Sequence, residues 1–175
     1  MKVTIKKVFV VLAILVLIGT ASVFMYCQGM FLPSWVSFNG KEIDEGNIVL
    51  EDKSLTVILP DGNKYKTPDN LKVQDVIYDD VDGDLKKDIV IVCWKIGRYG
   101  NRRPFWVKKD EIKWSQHIFI YDVKDDKLKE KWCSSYTGMD IASISVDERH
   151  IFKIKTKEDR EYHFLWRGFG LKNID

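Results

Sequence analysis

Four aspartates, Asp80, Asp82, Asp84 and Asp88, stand as D-x-D-G-D-x-x-x-D within YDDVDGDLKKDIVIV, residues 78–92. Hard cations such as Ca2+ take about six to eight oxygen ligands, and carboxylates at alternate positions of a looping chain can converge on one ion. Gly83 permits the sharp bend between them. Lys86 can add its backbone carbonyl, and the apolar run IVIVCW (89–94) would anchor the loop on a central strand. The pattern is not an EF-hand: Gly83 precedes the third aspartate, and Ile91 stands where the closing glutamate would be. The competing reading is a solvated acidic turn, because Asp and Gly are common turn residues. Against that reading, like charges so closely spaced repel unless something neutralises them.

A second constellation is KIGRYGNRRPFW, residues 95–106. Arg98, Arg102 and Arg103 are interleaved with Tyr99, Phe105 and Trp106, and guanidinium groups beside aromatics can grip carboxylates, phosphates or sugars. Gly97, Gly100 and Pro104 make it a loop, and loops between strands often carry function. Arg98, Arg102, Arg103 and Trp106 are the expected ligand or partner contacts. The alternative is an ordinary long connection whose aromatics cover the end of a sheet. Trp94, Trp132 and Trp166 lie in strand patterns and are expected in the core. Trp106 and Trp114 flank the charged segment VKKDEIK and suit contact with carbohydrate or a partner, while Trp35 suits a membrane interface.

No catalytic residue is assigned. His117, His150 and His163 are scattered without zinc spacing, and G-x-S-x-G, glycine-rich phosphate loops and H-E-x-x-H are absent from the sequence. Cys93 and Cys133 each sit beside a tryptophan in a strand pattern, which suits buried free thiols. An extracytoplasmic location would equally permit a disulfide between them.

The elements that must position these residues are mostly strands. LTVIL, HIFIYDV, ASISV, IFKIKT and EYHFLW are separated by polar turn clusters such as PDGN, KDDK and KEDR. In the last of these, Tyr162, Phe164 and Trp166 share one face by period-two alternation. A short helical turn is compatible with KKDEIKWSQ (108–116), and nothing else beyond residue 40 sustains helical periodicity. The expected fold is an all-β antiparallel meander of blade-like sheets. About 135 residues are too few for a full propeller of at least about four blades, whereas two packed sheets would fit.

Before the strands, Lys2, Lys6 and Lys7 precede a stretch from Val8 to Gly40 with no charged residue. Its apolar heart, VFVVLAILVLIGTASVFMY, is long enough to cross a bilayer as a helix. The lysines favour a cytoplasmic N-terminus. The length and flanks favour an uncleaved signal-anchor over a cleaved signal peptide, for which Gly19 and Ala21 offer only a weak site. The expected organisation is a cytoplasmic N-terminus (1–7), a transmembrane anchor (8–27), a membrane-proximal linker (28–38) and an extracytoplasmic β-domain (39–175).

On these residues, DVDGDLKKDIVIV resembles the calcium loop of FG-GAP (VCBS-type) repeats, the blade units of integrin-like β-propellers. The resemblance implies Ca2+ held by Asp80, Asp82, Asp84 and Asp88, with Lys86 contributing its backbone. Leu85 departs from the family, whose members often place a second glycine there, and the sequence has one such loop only. WKIGRYGNRRPFW, WSQHIFIYDV, KWCSSYTG and WRGFGL are in turn similar to an accessory segment found with bacterial poly-γ-glutamate capsule proteins.

The chain carries 28 Lys+Arg against 26 Asp+Glu, so it lacks the basic surplus of a nucleic-acid binder. The function expected is non-catalytic: binding or scaffolding at the cell envelope, through an envelope protein or an anionic or carbohydrate polymer, beside capsule-polymer machinery. The alternative is an envelope polysaccharide- or polyglutamate-processing enzyme or its subunit.

Overall fold

The computed structural model describes residues 2–100, 103–125 and 127–175. The chain forms two compact units, one up to Leu32 and one over Pro33–Asp175, so the boundary falls inside the segment 28–38.

The first unit is helix α1 (Lys2–Cys27). Its stretch Lys7–Cys27 is long and apolar enough to cross a membrane, as anchors and signal sequences both are. The apolar side chains from Val8 to Phe24 are exposed around the helix. Two of its hydroxyls are satisfied within the helix: Thr20 Oγ1 donates to the Leu17 carbonyl at 3.0 Å and Ser22 Oγ to Ile18 at 2.8 Å.

The second unit is built from three antiparallel four-stranded sheets in chain order. The first contains β1 (Lys41–Ile43), β2 (Ile48–Glu51), β3 (Ser54–Ile58) and β4 (Lys64–Lys66). The central sheet contains β5 (Leu71–Asp79), β6 (Asp88–Ile96), β7 (Trp114–Lys124) and β8 (Lys127–Cys133). The third contains β9 (Ile141–Val146), β10 (Ile151–Thr156), β11 (Glu161–Trp166) and β12 (Leu171–Asn173). Three sheets fit where two were expected because many strands are very short, β1, β4 and β12 having three residues each.

Strand β6 shows why the layers stack as they do. Ile89, Ile91 and Cys93 join Leu50, Leu55 and Val57 in one core, against the first sheet. Val90 and Val92 join Ile144, Phe152 and Ile154 in a second core, against the third sheet. A strand covered on both faces must be apolar at every position, which is what IVIVCW supplies. Each such side chain contributes about 1.5–3 kcal/mol on burial. Phe164 and Trp166 of β11 pack against the second core as expected, although β11 is not the last strand: β12 lies beyond it.

The expected helical turn near 108–116 is absent. The segment before Trp114 is irregular, and β7 starts at Trp114 itself. Trp35 packs edge-on against Trp94 at 6.0 Å, with Lys157 Nζ 5.5 Å from its ring centre.

Two β-bulges aim polar groups inward. One lies at Gln74 on β5, where the register shifts between Val73 and Asp75. Gln74 Oε1 accepts from Trp94 Nε1 at 2.8 Å and from Gln116 Nε2 at 2.7 Å. Gln116 Oε1 accepts the Ile141 N–H at 2.7 Å, and both amide nitrogens donate to the Ile141 carbonyl. This buried network ties the central sheet to the start of the third.

Candidate cation loop and ligand cleft

The connection between β5 and β6 holds the aspartates. Val81 is wholly buried in the second core and pins the loop. Asp80 then folds the chain around itself: its carboxylate accepts the N–H groups of Gly83 at 2.7 Å, Leu85 at 2.9 Å and Asp82 at 3.3 Å. Partial burial works against the Asp80 anion, but these donors hold its carboxyl below the usual range. Gly83 takes φ +78°, and Leu85 takes φ +68° with its side chain in solvent. Position 85 therefore has a backbone that suits glycine. From the β9–β10 turn, His150 Nδ1 lies 2.7 Å from the Asp80 carbonyl and covers the loop.

Carboxylate oxygens of Asp80, Asp82 and Asp84 come within 4.8 Å of one another, a grouping that could hold a metal ion. Lys86 lies exposed in the same loop, its N–H donating to Asp84 Oδ1 at 2.8 Å.

Asp88 has a different partner. It opens β6, almost fully buried, and both its oxygens accept from Lys131 Nζ at 2.9 Å. The same ammonium lies 2.7 Å from Asp82 Oδ2. Lys131 reaches them because the second bulge shifts the β7–β8 register: Trp132 faces Ile120, Glu130 faces Tyr121, and Lys131 has no cross-strand partner. Bulges commonly re-aim a side chain in this way. Burial pushes the Asp88 carboxyl up, and Lys131 offsets part of that. Burial opposes the Lys131 charge too, but Asp82 and Asp88 hold its pKa above the ordinary value. The pattern D-x-D-G-D showed no sign of this lysine, which lies 43 residues beyond Asp88.

The second constellation occupies the β6–β7 connection, residues 97–113. Its neck is closed by the Gly97 N–H donating to the Lys113 carbonyl at 2.9 Å. Asp110 reinforces it by accepting the N–H groups of Arg98 and Glu111, each at 2.8 Å, and of Tyr99 at 3.5 Å. These donors outweigh partial burial and draw the Asp110 carboxyl below its usual range. Arg98 belongs to this neck, stacked over Tyr136 and paired with Glu111 at 3.8 Å. Arg103 and Trp106 lie in the projecting part, and Arg102 falls outside the described residues. Trp114 is half-buried at the start of β7.

Behind the neck is a buried clasp. His117 is fully buried, with Nδ1 3.1 Å from the Ser134 carbonyl and Nε2 2.8 Å from Ser115 Oγ. The Ser115 hydroxyl donates to the Gly97 carbonyl. Burial pushes His117 down, and the serine proton is directed to a carbonyl, so the group fastens the loop to the end of β8.

A cavity of about 510 Å³ lies between this loop and edge strand β8, lined by Tyr99, Gly100, Pro104, Glu130, Lys131 and Trp132 among others. Gly100 allows the close approach: a Cβ there would come 2.9 Å from the Ser134 carbonyl oxygen. Lys131 thus belongs to the cleft wall and to the aspartate loop at once. Cys133 also lines the cleft, its thiol pushed up to about 12 by burial and by Glu130. A thiol of that pKa is protonated at neutral pH and a poor nucleophile. Cys93 and Cys133 are both free. They sit on β6 and β8 with β7 between, so two strand spacings of about 4.8 Å exceed the roughly 7 Å limit for a bridge.

No protein-family profile matches this sequence, and no curated protein or solved structure shows detectable similarity to it.

Proposed function

We propose that the protein is a membrane-anchored, non-catalytic binding module of the cell envelope whose Asp80–Asp88 loop takes a structural Ca2+. The observation that carries this reading is the convergence of the Asp80, Asp82 and Asp84 carboxylates on a loop pinned by a buried valine. Lys131 neutralises the opposite side of Asp82 together with Asp88, which leaves Asp80, Asp84 and one oxygen of Asp82 for the ion. The cleft beside β8 is the natural ligand site, and the high pKa of its thiol supports binding over covalent catalysis. The apolar, exposed helix α1 supports anchoring, with the β-unit on the outer side by the preceding lysines.

Calorimetric titration of Ca2+ into the full chain in detergent tests the ion. Saturable heat that disappears in Asp82→Asn is expected; absence of heat in the wild type contradicts the reading. Turnover of an envelope polymer by the purified chain would overturn the non-catalytic assignment.

A further inference from the structure

The part of the β6–β7 loop that projects past its neck presents two large aromatics to solvent. Phe105 is 93% exposed and Trp106 70% exposed. They occupy the two central positions of a turn closed by the Val107 N–H donating to the Pro104 carbonyl at 3.0 Å. Their rings pack on each other at 4.8 Å and 83°, edge to face. The pair is therefore a preformed wedge at a loop tip, not two side chains waiting to collapse onto the sheet.

Cations surround the wedge. Arg103, Lys108 and Lys109 are exposed, and among the described residues none forms an ion pair. The nearby acids are already engaged: Asp110 accepts three backbone N–H groups, and Glu111 pairs with Arg98 and Lys113. The tip is thus apolar at its point and positive around its base, and the hydrogen-bonded neck holds it out from a rigid sheet.

We propose that the Arg103–Lys109 tip is a membrane-contact element, inserting Phe105 and Trp106 into the interface of an anionic phospholipid bilayer. Tryptophan and phenylalanine partition to the headgroup boundary, and basic side chains beside them are drawn to anionic headgroups. The charge is complementary to lipid phosphate, and the same chain carries a helix fit to hold this unit beside a lipid surface, which raises the effective concentration of that surface. The proposal rests on the anchoring reading above.

The test uses the full chain reconstituted in phosphatidylcholine vesicles with or without phosphatidylglycerol, the lipids brominated at shallow acyl positions. Tryptophan quenching is compared in wild type, Trp106→Phe and the triple variant Arg103→Gln/Lys108→Gln/Lys109→Gln, all changes at exposed positions. Expected in anionic vesicles is a quenched component that Trp106→Phe removes, and that falls to background in the triple variant and in pure phosphatidylcholine. Membrane-integrated protein with no Trp106-dependent quenching overturns the proposal. Equal Trp106-dependent quenching in neutral vesicles, or in the triple variant, overturns the headgroup attraction. Extraction by alkaline carbonate would instead overturn the anchoring; quenching on mixing the chain with preformed vesicles then still decides the role of the loop.

Discussion

The two connections that flank strand β6 treat charge in opposite ways. In the β5–β6 loop, the carboxylates turn toward partners inside the molecule: Asp80 takes three N–H groups, and Asp82 and Asp88 share Lys131. In the β6–β7 loop, the neck and the tip turn are held by hydrogen bonds, and Arg103, Lys108 and Lys109 face water beside an exposed aromatic pair. Both segments look like polar loops with glycines. What separates them is whether another element delivers a counter-charge. A bulge in β8 does so for the acidic loop, while Arg103, Lys108 and Lys109 form no ion pair among the described residues.

The largest test of this contrast is Lys131→Met. It removes the counter-ion from a nearly buried Asp88 and is expected to cost about 3–5 kcal/mol in denaturant melts at neutral pH. Burial already raises the folded pKa of Asp88, so the unfavourable contribution is present above that pKa and is relieved as pH falls through it. The loss should therefore shrink on mild acidification. A loss below about 1 kcal/mol at neutral pH, the range of an exposed pair, would break the contrast.

Next is Asp110→Ala, which takes the acceptor from three N–H groups at the neck of the basic loop. About 1–2 kcal/mol is expected, with faster amide exchange at Arg98 and Glu111. Acid titrates the same kind of contact. Asp80 and Asp110 have lowered folded pKa values, and N–H groups of Ile151 and Arg149, with the Arg149 guanidinium, overcome partial burial to draw Asp147 down to about 2. Their stabilisation is complete above the ordinary value of 3.8 and is lost as pH falls from there toward about 2. A thermal-melt series across that interval should show falling stability; a flat profile would contradict the assignments.

A smaller effect of opposite sign is expected from Leu85→Gly. The exposed leucine sits at positive φ and packs against nothing, so glycine should stabilise the chain by about 0.5–1 kcal/mol, net of its greater freedom when unfolded. The smallest effect belongs to the basic tip: Arg103→Gln, Lys108→Gln and Lys109→Gln together should leave stability within about 0.5 kcal/mol of wild type.

Much of the frame was legible from local pattern. Strand rhythm and turn clusters identified an antiparallel β-unit, the apolar run after residue 7 identified helix α1, and IVIVCW marked a central strand, which proves to be buried on both faces. The acidic spacing also brought Asp80, Asp82 and Asp84 together. The departures arose where distant residues decide. Asp88 answers to Lys131, delivered by a register shift that no window of sequence displays. Gln74 and Gln116 are buried polar residues whose partners come from other strands, and His117 is fixed by Ser134, 17 residues on, as well as by Ser115, so their burial is not marked locally. Two sheets were expected where there are three, because strands as short as β1 and β12 carry too little alternation to count.

The most direct measurement is a pair of thermal melts of the full chain in detergent, one in Ca2+ and one in chelator, repeated for Asp84→Asn. That substitution keeps an oxygen for the Lys86 N–H and leaves the Lys131 contacts intact, while removing one charge from the three-carboxylate cluster. A higher melting temperature in Ca2+ for the wild type, much reduced in Asp84→Asn, is the predicted result. Identical wild-type melts in Ca2+ and chelator would contradict it, and the loop would then be held by Lys131, Val81, His150 and its own backbone without an ion.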